Sequence, residues 1–244
     1  MIDIKLKYQA SAFANVKHIT PSSENISVLL EIFRDKELIP GVIQEIGHEV
    51  GIGPRIMLKS IKPEWGITFG SRRINIEKSL IDPKGDNLGN LKDFCADSTD
   101  FFARIFSRFK MRSNRLALVA TYLFEEMASP TLNEMYKKVF NSLSFYTKFP
   151  PSEWNTRSAA KMPFSFAGLD EQINALISID RVKMELALPD SVIPLDRIQV
   201  QFDLNTIPES TDSRFDIEHL SAFYTDILPI HNALLKEVED KVNG

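Results

Sequence analysis

At 244 residues, with 43% apolar and 25% charged side chains, the chain is long enough to bury a sizeable core and too apolar to stay disordered. A net charge of −4 gives no global pull toward nucleic acid or anionic lipid, and one cysteine, Cys95, excludes a disulfide framework or a cysteine-rich zinc site. No apolar run approaches the roughly 20 residues that a spanning helix needs, and residues 1–7 lack a signal-peptide core, so a soluble cytoplasmic protein with no membrane partner is expected.

Residues 2–7 and 13–19 read as strands; Ile2, Ile4 and Leu6 share a face opposite Asp3, Lys5 and Lys7. Pro21-Ser22-Ser23 then opens a helix striped by Ile26, Leu29, Leu30 and Phe33, which Pro40-Gly41 should stop. Residues 55–62, 66–70 and 73–77 predict an antiparallel meander with its first turn at 62–66, and 82–90 a polar loop. A long amphipathic helix follows, with Leu91, Phe94, Cys95, Phe102, Ile105 and Phe106 on its apolar side. Residues 116–124 are apolar on both faces, as in a strand covered on both sides. Ser129-Pro130 starts another helix, with proline at its first position.

The prolines of 148–152 mark a linker. Beyond it, apolar residues fall on odd positions from Ile173 to Ile179 and on even ones from Val182 to Leu188. That flip at Asp180-Arg181 predicts a β-bulge, or a helix-to-strand switch if 169–177 is helical. Pro189-Asp190 turns the chain into a strand whose wet face carries Gln199, Gln201, Asp203 and Asn205. Asp216 can cap a last helix, striped by Leu220, Tyr224, Ile227, His231 and Leu235 and interrupted by Pro229.

Few residues carry a chemical signature. His48-Glu49 resembles half of a zinc-protease motif, but Ile52 stands where the second histidine belongs. Gly47, Gly51 and Gly53 precede Pro54-Arg55 and not the Lys-Ser/Thr of a phosphate loop, so they read as turn glycines. Glu239 and Lys241 fit a nuclease triplet in spacing only, because they end a helix and not a core strand. Cys95 lies on an apolar stripe and reads as a core residue. No metal and no cofactor is called for. The one basic run is Arg104, Arg108, Lys110, Arg112 and Arg115, with Phe106 and Phe109 interleaved. It offers phosphate contacts and stacking surfaces for a nucleic acid, or equally cations placed at the negative end of a helix dipole. The 199–205 face could line a polar pocket or be the solvated side of a sheet.

The strand Phe202-Asp203-Leu204-Asn205, the terminal-helix triplet Ile230-His231-Asn232 and the strand entry Asn114-Arg115-Leu116 resemble a sporadically distributed family of uncharacterised bacterial proteins of about this length. The resemblance implies a two-lobed α+β protein from scattered bacterial mobile-element or defence loci. It implies no activity and no site residues.

The expected fold is thus α+β with two lobes, 1–149 and 150–244, each a largely antiparallel sheet packed on long amphipathic helices, unless they run on as one domain. With no convergent acid, base, nucleophile or metal set, the expected function is a non-enzymatic interaction protein that binds a protein partner or itself. A hydrolase or nuclease with a carboxylate site assembled by the fold, Asp203 and Glu185 first, is the alternative from another class. Nucleic-acid binding through the basic run is a third.

Overall fold

Period-two patterning places strands in both halves of the chain, and in the computed structural model every strand among the described residues joins one antiparallel sheet. The structure describes residues 1–47, 51–62, 64–82, 84–140, 143–188 and 191–243, with the side chains of all but 47, 51, 184, 186–188, 191, 193–195 and 243. In chain order the elements are β1 (Ile2–Phe13), α1 (Ser23–Ile32), β2 (Leu38–Gly47), β3 (Gly51–Ser60), β4 (Trp65–Phe69), β5 (Arg73–Ser79) and α2 (Leu91–Phe109). Then come β6 (Arg115–Phe124), α3 (Ser129–Val139), α4 (Ser144–Lys148), β7 (Trp154–Phe166), β8 (Leu169–Leu188), β9 (Ser191–Thr206) and α5 (Ile217–Asn243). Across the sheet the order is β2-β3-β4-β5-β1-β6-β9-β8-β7.

The expected pair of lobes, each with a sheet and long helices of its own, is overturned. β6 pairs with β1 on one side and with β9 on the other, from Ala117↔Asn205 to Leu123↔Gln199, so both halves of the chain share one nine-stranded layer with few helices. The reason lies in what a strand pattern encodes. Alternation specifies which face of a strand is buried, whereas the partner on its edge is a backbone matter that carries no side-chain signature.

The order of elements still repeats. A strand, a short helix, a meander and a long helix occur first as β1, α1, β2–β5 and α2, then again as β6, α3, β7–β9 and α5. The leading strands β1 and β6 lie antiparallel at the join, and the closing helices α2 and α5 pack together over one face of the sheet. Aromatic side chains fill the space beneath: Phe102 stacks on Tyr224 at 5.9 Å, and Tyr8 meets Phe94 at 5.5 Å. Tyr224 reaches through this layer to donate to the carbonyl of Ser11 at 2.9 Å.

Helix ends follow the sequence closely. Ser22 accepts from the N–H of Asn25, Asn90 from that of Asp93, and Asp216 from those of Glu218 and His219. Lys110 ends α2 in the left-handed region at φ 50°, its N–H bonded to Phe106. Elsewhere the pattern misled. The expected strand at 13–19 is the end of β1 and an irregular segment, and Pro40-Gly41, read as a helix stop, lies inside β2. The flip at 180–181 is neither a bulge nor a helix end, for β8 keeps unbroken register with both β7 and β9. What changes there is the buried face: Ile173 and Ala175 lie under the helices, while Val182 packs on the opposite face against Ile4 and Leu123. His48-Glu49, Pro63, Pro83 and the turn Pro189-Asp190 lie outside the described residues.

Candidate functional site

The five residues of the basic run are not brought to one surface. Arg104 donates to both carboxylate oxygens of Asp35, pairs with Asp100 at 3.0 Å, and donates to the carbonyl of Ile32, so its charge is offset and it ties α2 to α1. Arg108 and Lys110 border, with Arg104, an open depression of about 560 Å³, and neither has an ion-pair partner among the described residues. Arg112 turns toward the start of α5, donating to the carbonyl of Arg214 at 2.9 Å and lying 3.7 Å from Asp216. Arg115 enters β6 on the sheet face away from α2 and α5, its guanidinium 4.6 Å from the ring of Phe13 and bonded to Asn205 at 2.8 Å. Burial holds Arg115 below the usual range of a guanidinium, helped by the charge of Arg73.

The polar face of β9 carries a network of side-chain hydrogen bonds. Asn205, fully buried, accepts from Arg115 and donates to Asp203 at 2.9 Å; Gln201 donates to Thr121 at 3.2 Å. Ser11 donates to Asn75 at 2.9 Å one strand pair away. These side chains hydrogen-bond to one another and fix the sheet centre, while Nε of Arg115 is buried with no partner among the described residues. Asp203 and Glu185 do not converge, because Asp203 pairs with Leu176 and Glu185 lies nine residues further along β8, beside Pro194. At strand rise that is about 30 Å.

Four titratable groups of the aromatic core are held neutral. Tyr122 contacts Nε2 of His231 at 3.2 Å, and Nδ1 of the same ring meets Asn232 at 3.2 Å. Burial lowers His231 from its ordinary 6.5, pushes Tyr8 and the Cys95 thiol each up to about 12, and raises Tyr122 further. Neutral phenols, a protonated thiol and an uncharged imidazole suit a packed core; none is poised as a base or nucleophile. Among the described residues no three of His, Cys, Asp and Glu gather to hold a metal ion. His18 lies against Phe109, and His219 pairs with Asp216 at 2.6 Å, capping α5.

One surface feature is unlike the rest. Between α3 and β7 a ladder of rings climbs from the interior into solvent. Trp154, buried, meets Phe140 at 5.5 Å and Tyr136 at 6.1 Å; Tyr136 meets Tyr146 at 6.1 Å, Tyr146 meets Phe145 at 5.5 Å, and Phe145 meets Phe149 at 5.3 Å. The outer rungs are open: Leu143 is 69% exposed, Phe145 61% and Phe149 53%. Sequence reasoning read the end of this segment as linker. Its signal was the density of aromatics between Ser144 and Pro150 without a heptad-like stripe to bury them. Lys137, Lys138 and Lys148 are exposed around it, with Lys137 engaged by Glu134 at 2.7 Å.

No helix among the described residues is long and apolar enough to cross a membrane. No family model matches the chain, and neither does any curated protein.

Proposed function

We propose that this chain is a non-enzymatic interaction protein that holds another protein on the aromatic ladder of residues 143–149. The observation that carries the reading is the exposure of Leu143, Phe145 and Phe149 within one seven-residue stretch anchored on buried Trp154. Aromatic side chains dominate protein interfaces because each brings a large rigid apolar area with few rotamers to freeze. Left in water, that area is unfavourable by about 25 cal/mol per Å². The core aromatics beneath hold the ladder in place, which lowers the cost of ordering it on binding. The scatter of Asp203 and Glu185 and the neutral groups of the aromatic core support binding over catalysis.

A photo-crosslinking phenylalanine analogue at position 145, expressed in the native host, tests this. A defined protein adduct is expected at 145 and not when the analogue replaces Leu30, which is also exposed but lies on α1. Absence of any adduct at 145 above the level at 30 would sink the reading.

A further inference from the structure

A polar pocket lies far in sequence from the ladder, where three segments of chain meet. These are residues 14–17, which leave β1, the turn between β4 and β5, and the lead into β6. Backbone bonds hold them together. Ala14 donates to the carbonyl of Arg72 at 3.0 Å, Val16 to that of Ser71 at 2.9 Å, and Asn114 to that of Phe13 at 2.8 Å. The cavity between them has a volume of about 300 Å³ and is lined by Ala14, Asn15, Lys17, Ser71, Arg72 and Asn114. That is the lower end of the roughly 300–1,000 Å³ of small-molecule sites, but the lining is polar where such sites are mostly apolar.

The lining offers donors and positive charge. Lys17 and Arg72 supply cations, and among the described residues no carboxylate lines the cavity. Asn15 accepts from the N–H of Lys17 through Oδ1, which leaves its NH₂ group without a partner among the described residues. Asn114 donates one amide hydrogen to the carbonyl of Thr211 and keeps a second. Glu45 touches Ser71 from outside the lining, and its oxygens are taken by the N–H of Ser71 and by Arg55.

Positive charge continues past the rim. Arg73 and Arg115, next in the chain to Arg72 and Asn114, flank the ring of Phe13 with their guanidinium groups at 6.0 and 4.6 Å. Burial, and then the charge of Arg73, hold Arg115 below the usual guanidinium range against the pull of Asp203. Four cations thus gather at one corner of a chain whose net charge is −4. Like charges so placed repel until an anion joins them.

We infer that this pocket binds the phosphate group of a small soluble molecule. The planar fork of Arg72 suits two phosphate oxygens at once, Lys17 adds a point charge, and the amides of Asn15 and Asn114 supply neutral donors. A phosphomonoester, at about −1.5 to −2, matches two lining cations better than a single carboxylate does. No track of free cations leads on to a polyanion site, because Arg112 lies against Asp216 and Arg104 is held by Asp35 and Asp100.

Titration of the full chain with inorganic pyrophosphate and with glycerol 3-phosphate in excess chloride, followed by calorimetry and amide NMR, tests the inference. Saturable binding is expected, with shifts centred on residues 14–17, 71–72 and 114. Lys17→Gln with Arg72→Gln should weaken it by about ten-fold or more. Asn15→Asp keeps the acceptor for the N–H of Lys17 but puts a carboxylate in the lining, and should weaken binding with Tm unchanged. Arg108→Gln with Lys110→Gln removes the same charge from another surface and should leave binding intact. Absence of saturable binding by either probe overturns the inference, as does equal weakening by the two double variants. An oligonucleotide that binds through Lys17 and Arg72 where both small probes fail would overturn it too, and assign the pocket to a nucleic-acid backbone.

Discussion

The hydroxyl of Tyr122, on β6, and Nε2 of His231, on α5, are 3.2 Å apart in the layer between sheet and helices. The contact closes α5 onto the sheet with a polar pair inside an aromatic core, where a donor or acceptor left alone is costly.

Its pH dependence has a definite sign. Burial lowers His231 from 6.5, so the unfolded chain takes up a proton that the folded chain refuses. The contribution is fully present above the unfolded value and is lost as pH falls from about 6.5 toward the lowered folded value. Thermal unfolding should show Tm falling as pH drops below about 6.5, and His231→Phe should flatten that fall. Tyr122→Phe should cost about 1–2 kcal/mol at neutral pH by stranding the imidazole.

Arg181 is 5% exposed at its side chain and is held at 2.9 Å by both oxygens of Asp196, with further bonds to Asn133 and the carbonyl of Pro151. Asp196→Ala leaves a buried guanidinium uncompensated and should destabilise by about 3–5 kcal/mol in urea unfolding. Arg181→Met should cost less, because Asp196 is 34% exposed and can be hydrated. The bond from Arg181 holds the Asp196 carboxyl below its usual range, so its stabilisation is lost as pH falls through that lowered value. Equal costs for the two substitutions would contradict this assignment.

Gly85 sits at φ +69°, where a Cβ would come 2.3 Å from the carbonyl oxygen of Lys5. Gly85→Ala therefore strains the chain twice, by conformation and by contact with the first strand, and should lower stability by about 1–3 kcal/mol. Gly89, at φ +64° and ψ −146°, meets nothing within 4 Å, so Gly89→Ala strains the chain by conformation alone.

How much of this was legible beforehand differs by level. The caps at Ser22 and Asp216 and the stripe of α2 were readable, because they are local contests between side chain and backbone. The union of both halves through β6 and β9 was not, since Leu116 to Phe124 shows burial on both faces without naming the strand on either edge. The flip at Arg181 was visible yet misread: a strand that passes from beneath the helices to the small cluster of Ile4 and Leu123 changes its buried face with no change of backbone. The basic run was visible too, but proximity in sequence concealed a divergence at Lys110, where the left-handed cap redirects the chain.

That divergence bears on nucleic acid. With Arg104 engaged by Asp35 and Asp100, and Arg112 and Arg115 turned to other surfaces, only Arg108 and Lys110 of the run present charge together. Arg108→Ser with Lys110→Ser is expected to leave oligonucleotide affinity and its salt slope unchanged. A slope reduced by about 2 would show that they contact phosphates.

The central claim is that the ladder is a docking surface and not a structural element. Phe145→Ser with Phe149→Ser removes its outer rungs while leaving Trp154, Phe140 and Tyr136 in place. Titration of the protein crosslinked at position 145, purified and measured against wild type and this variant together with Tm, is the most direct test. The account predicts binding weakened at least ten-fold with Tm little changed; equal affinity for both, or a variant that unfolds, would contradict it.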